Sequence, residues 1–436
     1  MTSSLHELTA LEAVNAIQAG QITASAYTNA LLSRIEARES EVQAWQYLDP
    51  QQARDQATRL DAHGNLKSLP LAGAAVGVKD IIDTADMPTE NGTVLDAGRR
   101  PPADATVVQL LREAGAVIMG KTVTTELAYM QPARTRNPCH LGHSPGGSSS
   151  GSAAAVGACM VPIALGTQTN GSVIRPASFC GVYALKPTKG LFPTDGVLEE
   201  AATLDTVGVF ARSLEDVAAV TQVLAKGGEK AQAIPDYVRS AREPLPETRF
   251  AFVKTPAWPS AEDSTKGAFA KLAAALGTAC EELVLPPEFD RAVALHRTIM
   301  LAEIALNLGG YYDRGKDRLS AAMRNALEAG RAISAVDYAA ALRERKRLYR
   351  RIEDLAAPYD AILTPSSTGP APLGFKTTGD PIFCSLWTFL GVPALNLPLL
   401  TVNGLPLGVQ LTGLRFEEDR LFRAGGAIMR SHGLEY

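Results

Sequence analysis

Histidine is scarce in this chain, six in 436 residues, and none falls between His143 and His296. Ser172 lies inside that gap, in the stretch GTQTNGSVIRPASFCG. Serine nucleophiles commonly take their activation from a histidine, and no local Ser-His-Asp arrangement is visible, so Ser172 is either a turn residue or is served by another base. Cysteine is scarcer still. Cys139, Cys159, Cys180, Cys280 and Cys384 are an odd number without metal-type spacing, which argues against a disulfide framework and points to reduced thiols in a cytoplasmic setting. An excess of base is also missing: 42 Lys and Arg stand against 46 Asp and Glu, whereas a nucleic-acid partner leaves a basic footprint. The most apolar run, Ala153–Gly166, contains Pro162 and falls short of the ~20 residues of a bilayer span, so it reads as buried core and no membrane partner is expected. No basic-then-apolar leader opens the sequence. Walker-type and G-x-G-x-x-G phosphate loops are absent.

What is present alternates. Leu8, Leu11, Val14 and Ile17 recur at helical spacing, Gly20 ends that pattern, and Thr23 caps a second helix bearing Tyr27, Leu31 and Ile35. AAVGVKDIID reads as a buried strand, Asp104 as the cap of a helix through Arg112, AVIMG as the next strand, and SPGGSSSGSAAAVGACMVPIALG as turn, helix and strand. Alternating strands and helices predict an α/β fold with a largely parallel sheet. Residues 225–355 read as mostly helical, and RERKRLYRRIED within them, with its interspersed acids, as a solvated helix face. YDAILTPSSTGPAP, GVPALNLPLL and GLPLGVQLTG return as strands and Pro-rich loops. No repeat or Gly/Ser linker divides the chain, so one domain over 1–436 is expected.

Three local features carry chemistry. The turn PGGSSSGS, Pro145–Ser152, enters a helix and is by composition a flexible turn with a serine cap. CHLGH places Cys139, His140 and His143 within five residues, too few ligands for structural zinc. Lys79 interrupts an apolar strand. Such a lysine pairs with an acid such as Asp80 or Asp83, or is buried neutral and serves as a base, as in Ser-Lys variants of the serine triad.

Taken together, GVKDIIDT, GGSSSGSAAAVGA and GTQTNGSVIRPASFCGVYALKPTKG, with LDTVGVFARSLEDV behind them, resemble the amidase signature family. The resemblance is strong over about residues 70–220 and weaker in the C-terminal DAILTPSS and GLPLGVQL. It implies a central mixed, twisted sheet covered by helices on both faces, and cofactor-independent cleavage of a carboxamide C–N bond through a serine acyl-enzyme. The catalytic set it implies is Ser172 as nucleophile, Ser148 after a cis Gly147–Ser148 peptide as bridge, and Lys79 as base. Backbone N–H groups of Thr169, Asn170, Gly171 and Ser172 correspond to the oxyanion hole, Ser149 and Ser150 support the relay, and Ser149, Arg175 and Met130 are expected beside the substrate. Phe192, Phe383 and Trp387 are expected as further pocket walls. No metal is implied.

Two departures stand out. Asn170 occupies a family glycine position that permits a left-handed backbone, and Gln168 an aspartate. SVIRPA places the arginine at 175, as in the malonamidase-like branch, where it holds a substrate carboxylate with its fork-shaped guanidinium. The alternative is that Arg175 pairs with a protein carboxylate near the sheet edge. The leading expectation is hydrolysis of a small amide, including carboxylate-bearing ones. The alternatives are the ammonia-generating A-type subunit of a tRNA-dependent amidotransferase, a carbamate- or urea-type hydrolase, and a catalytically impaired member in which Asn170 blunts turnover. A homodimer is among the assemblies the resemblance allows.

Overall fold

Eleven strands form one continuous sheet. The computed structural model describes residues 4–243, 245 and 247–431. In chain order the strands are β1 (Trp45–Leu48), β2 (Ala75–Lys79), β3 (Val117–Thr122), β4 (Ile163–Gln168), β5 (Tyr183–Lys186) and β6 (Thr206–Ala211). They continue with β7 (Phe250–Phe252), β8 (Cys280–Glu282), β9 (Ala361–Pro365), β10 (Ala394–Val402) and β11 (Leu405–Thr412). Their spatial order is β1-β3-β2-β4-β6-β5-β10-β11-β9-β7-β8. The pairs β2–β3, β2–β4, β7–β8 and β7–β9 run parallel, and the rest antiparallel. The sheet is therefore mixed and flanked by helices.

Strand alternation explains why both faces are covered. In β2, Val76 and Val78 join a core with Val107, Val108 and Leu111, while Ala75 joins another with Ala153 and Ala154, as the two-residue period requires. Lys79 shares the parity of Ala75 and Gly77, the face on which the helix Ser150–Gly157 lies. A third core fills the helical region, with Ile299, Ile304, Leu327 and Leu348 packed around Trp387 and Ile362.

Most sequence expectations of local structure hold. Thr23 accepts the N–H of Ala26 at the start of Ala24–Val42, and Gly20 follows the first helix with φ +71°. Asp104 does not cap: the helix Thr106–Glu113 starts after Ala105, and the Asp104 carboxylate instead accepts from the Ala85 N–H and pairs with Arg112. The region 225–355 is mostly helical but also adds β7 and β8 to the sheet edge. These are strands of three residues, too short for alternation to register. Among the described residues, no single helix is long and apolar enough to cross a membrane.

The fold brings the carboxyl ends of parallel β2 and β4 side by side, so Lys79 and the turn after Gln168 meet at one edge of the sheet. Open α/β sheets bind ligands at such carboxyl ends.

Candidate active site

Lys79 is fully buried. Its Nζ donates to Thr167 Oγ1 at 2.8 Å and lies 2.7 Å from Ser148 Oγ. Neither Asp80 nor Asp83 takes it: Asp80 is engaged by Lys121 and the Glu90 N–H, and Asp83 by Arg99. Burial is the main influence on the amine and pulls its pKa well below the ordinary lysine value, while the nearby acids Glu200 and Asp205 pull the other way. Desolvation wins because the ammonium loses all of its water and gains no contacting carboxylate.

Ser148 follows a cis Gly147–Ser148 peptide. The turn is held from several sides. Ser150 Oγ donates to the Gly146 carbonyl at 2.8 Å, and the Thr125 N–H to that of Ser148. Gly146 has φ +85°, and a Cβ there would stand 2.8 Å from the Cα of Pro176, so only glycine fits. Ser149 does not face the substrate space. Its buried hydroxyl donates to the Thr167 carbonyl and accepts the Thr167 N–H, which ties the turn to β4.

Arg175 is engaged within the protein. It is buried, donating through Nη2 to the Gly147 carbonyl at 2.6 Å and through Nη1 to that of Gly379 at 2.5 Å. No carboxylate pairs with it among the described residues. Both forks of the guanidinium grip main-chain carbonyls, clamping the cis turn to the loop that carries Asp380 and Pro381.

The turn from Gln168 to Ser172 is braced at every residue up to Asn170. Gln168 Oε1 accepts the N–H groups of Val173 and Ile174, a task an aspartate of shorter reach would share differently. Thr169 contacts the buried carboxyls of Glu200 and Asp205 through its hydroxyl, and its carbonyl accepts from His296 Nε2 at 2.9 Å. Asn170 accepts from Ser385 on Oδ1 and from Thr388 on its carbonyl. Asn170 is absent from the positive-φ residues, so its backbone asks for no glycine, contrary to the expectation of a left-handed turn. Ser172 is half-buried.

These residues open on a small inner chamber of about 30 Å³, lined by Ser172, Asn170, Gly171, Arg175, Glu200 and Met130 among others. It leads into a vestibule of about 210 Å³ that shares Tyr129, Met130, Asn170, Met300 and Pro381 and adds His296, Arg297 and Asp380. Met130 is the expected wall residue that the structure places here, 41% exposed. Phe192, Phe383 and Trp387 line neither space. They are fully packed into three separate cores, because large apolar side chains near a site are more often framework than wall. His140 and His143 face each other at 2.9 Å on the surface. Among the described residues, no group of three or more His, Cys, Asp or Glu could hold a metal.

The family model described as Amidase matches residues 26–422. The chain belongs to the amidase family. Among sequence relatives of this amidase is the A-type subunit of the glutamyl-tRNA(Gln) amidotransferase of Chloroflexus aggregans, 33% identical over 480 aligned positions that cover 98% of this chain and 97% of the relative. Among solved structures, the peptide amidase of Stenotrophomonas maltophilia superposes with a TM-score of 0.85 at 28% identity, covering 99% and 98% of the two chains. A chain from a vestigial protein complex bearing on the origins of an s-triazine catabolic enzyme superposes with a TM-score of 0.89 at 25% identity, covering 98% and 99%.

Several residues of this amidase site carry no local sequence signal. Glu200 and Asp205 reach Thr169 from 31 and 36 residues away, His296 from 127, and Ser385 reaches Asn170 from 215. Thr167, one residue before Gln168, was readable only as a strand position, yet it shares Lys79 with Ser148.

Proposed function

We propose that this chain cleaves the C–N bond of a small carboxamide through a serine acyl-enzyme, with Ser172 as nucleophile, Ser148 as bridge and Lys79 as base. The observation that carries this reading is the fully buried Lys79 Nζ, 2.7 Å from Ser148 Oγ; Ser172 lines a chamber with Glu200, an acid whose charge acts on Lys79. The amine, whose pKa burial lowers to about 7, accepts in its neutral form a proton from Ser148, which takes one from Ser172 as its Oγ attacks the carbonyl carbon. The oxyanion is met by backbone N–H groups of the braced 169–172 turn. The relay then returns a proton to the departing nitrogen as the C–N bond breaks, and water hydrolyses the ester. Ser172 makes no direct hydrogen bond to Ser148 among the described residues. Catalytic contacts in unliganded sites commonly tighten only with substrate.

The sequence relatives favour an ammonia-generating A-type subunit over the malonamate-type hydrolase. The vestibule wall carries one cation, Arg297, and one anion, Asp380, a pair suited to the carboxylate and ammonium of an amino-acid amide such as glutamine. A second reading, a free-standing hydrolase, is supported by the likeness to the peptide amidase of Stenotrophomonas maltophilia, 28% identical with 99% of this chain covered.

Ammonia release from glutamine, propionamide and malonamate, by native protein and Ser172→Ala, tests both. Release from glutamine that the variant abolishes supports the first reading, and turnover of simple amides alone supports the second. Turnover that survives in Ser172→Ala overturns the acyl-enzyme.

A further inference from the structure

The Thr169 hydroxyl stands 2.9 Å from Glu200 Oε2 and 2.5 Å from Asp205 Oδ1. One hydroxyl has one proton, so only one of these contacts is made by Thr169 as donor, and the other needs a proton on a carboxyl. The two acids are not equivalent. Asp205 Oδ2 accepts the N–H groups of Glu200 and Ala201 at 2.8 and 2.9 Å, which favours the anion there. Among the described residues, the Glu200 carboxyl has no such donors. Thr169 therefore donates to Asp205, and Glu200 Oε2 carries the proton and donates to Thr169. Burial and the neighbouring Asp205 hold the Glu200 carboxyl well above the ordinary range, in the same sense. The other ionisable groups around it are Lys79 from β2, Lys189 on the Asp205 carbonyl, Tyr129 and His296.

Glu200 also lines the chamber that contains Ser172, and its Oε1 has no partner among the described residues. A protonated carboxyl presents that oxygen as a carbonyl-like acceptor without charge. Its charge acts on Lys79, which in the acyl-enzyme reading returns the proton that the departing nitrogen takes.

We propose that Glu200 is a specificity-determining residue: a protonated carboxyl in the chamber wall whose free Oε1 accepts an N–H of the scissile amide, so that amides are taken in preference to esters of the same acyl group. This rests on the acyl-enzyme reading above. Propionamide and methyl propionate form the same propionyl-enzyme, so a difference between them reports only on the leaving side.

In Glu200→Met the amide-to-ester ratio of kcat/KM falls about tenfold to a hundredfold. In Glu200→Gln the amide nitrogen donates to Thr169 in place of the acid proton and Oε1 remains, so the ratio stays within about threefold of native. A merely structural Glu200 lowers both rates in proportion; an unchanged ratio in Glu200→Met overturns the proposal. An infrared measurement on Ser172→Ala needs no turnover. The carbonyl stretch of a protonated acid is present, is lost in Ser172→Ala/Glu200→Gln, and shifts on adding propionamide but not methyl propionate. A missing or unmoved band overturns the assignment of Glu200, whereas turnover persisting in Ser172→Ala overturns the serine reading instead.

Discussion

His296 donates through Nε2 to the carbonyl of Thr169 at 2.9 Å, joining the helix Ala292–Asn307 to the turn that presents Ser172. The contact fixes the histidine as the neutral tautomer bearing hydrogen on Nε2, since a carbonyl only accepts. It also fixes the plane of the Thr169–Asn170 peptide, whose N–H is one of the donors of the proposed oxyanion hole. A histidine far from Ser172 in sequence therefore braces the turn that carries Ser172.

Replacing His296 by Phe removes that donor and leaves a buried carbonyl unpaired. We expect kcat to fall about tenfold to a hundredfold with KM little changed, because the donors bind the transition state more than the ground state. Burial lowers the imidazole pKa to about 4, below its unfolded value of about 6.5. The unfolded chain then binds more protons between these limits, so the stability owed to neutral His296 is complete above about pH 6.5 and is lost as pH falls toward 4. Urea midpoints of native and His296→Phe protein across that window should converge at the acid end. Parallel profiles would refute the linkage.

Lys79 gives the opposite end of the pH scale. Its folded pKa is lowered to about 7 from about 10.4 in the unfolded chain. The unfolded state therefore holds more protons between 7 and 10.4, and stability rises with pH across that window. Activity that needs the neutral amine should rise with pH through about 7 as well. Lys79→Met is expected to lose activity by about a thousandfold or more, as removal of a triad member does. It should also flatten the alkaline rise in stability. Urea unfolding at pH 7 and 9.5 checks the second effect. An unaltered rise would assign it to another buried lysine, Lys186, whose pKa burial also lowers to about 7.

The contrast between these residues shows what was legible in the sequence. Lys79, Ser148 and Ser172 sit in contiguous motifs whose residue types are unusual for their setting, a lysine in an apolar strand and serines behind paired glycines. The α/β alternation was readable because β2, β3 and β4 are bounded by glycines and helix signals. Glu200, Asp205, His296 and Ser385 were not readable, because each is an ordinary residue in an ordinary segment that acquires meaning only when the sheet order brings it to the 168–172 turn. Arg175 shows the converse limit. Its residue type suggested an anion, but the partner was decided by burial, which delivered two main-chain carbonyls and no carboxylate.

That difference makes a prediction for Arg175. A clamp on the cis turn serves every substrate alike, whereas a carboxylate anchor serves only charged ones. In Arg175→Met, two main-chain carbonyls lose charged donors, each worth about 1.5–3 kcal/mol. We expect a large drop in stability and a fall of about a hundredfold in kcat/KM that is equal for malonamate and propionamide. A loss confined to malonamate would return Arg175 to the role of anchor.

Asn170 supplies the last test, because its position asks for a side chain rather than for glycine. Its φ is not left-handed, so glycine brings no relief of strain. Its Oδ1 accepts the Ser385 hydroxyl at 2.7 Å, so glycine loses that contact and adds backbone entropy to the unfolded chain. Asn170→Gly should therefore destabilise the protein by about 1–2 kcal/mol, measured by urea unfolding. Asn170 belongs to both the chamber and the vestibule, so its removal widens the passage between them. Turnover of bulkier amides should rise relative to propionamide, even as the looser turn lowers kcat for both. If Asn170→Gly were instead more stable and faster on every amide, the asparagine would be a defect of this site rather than part of its wall.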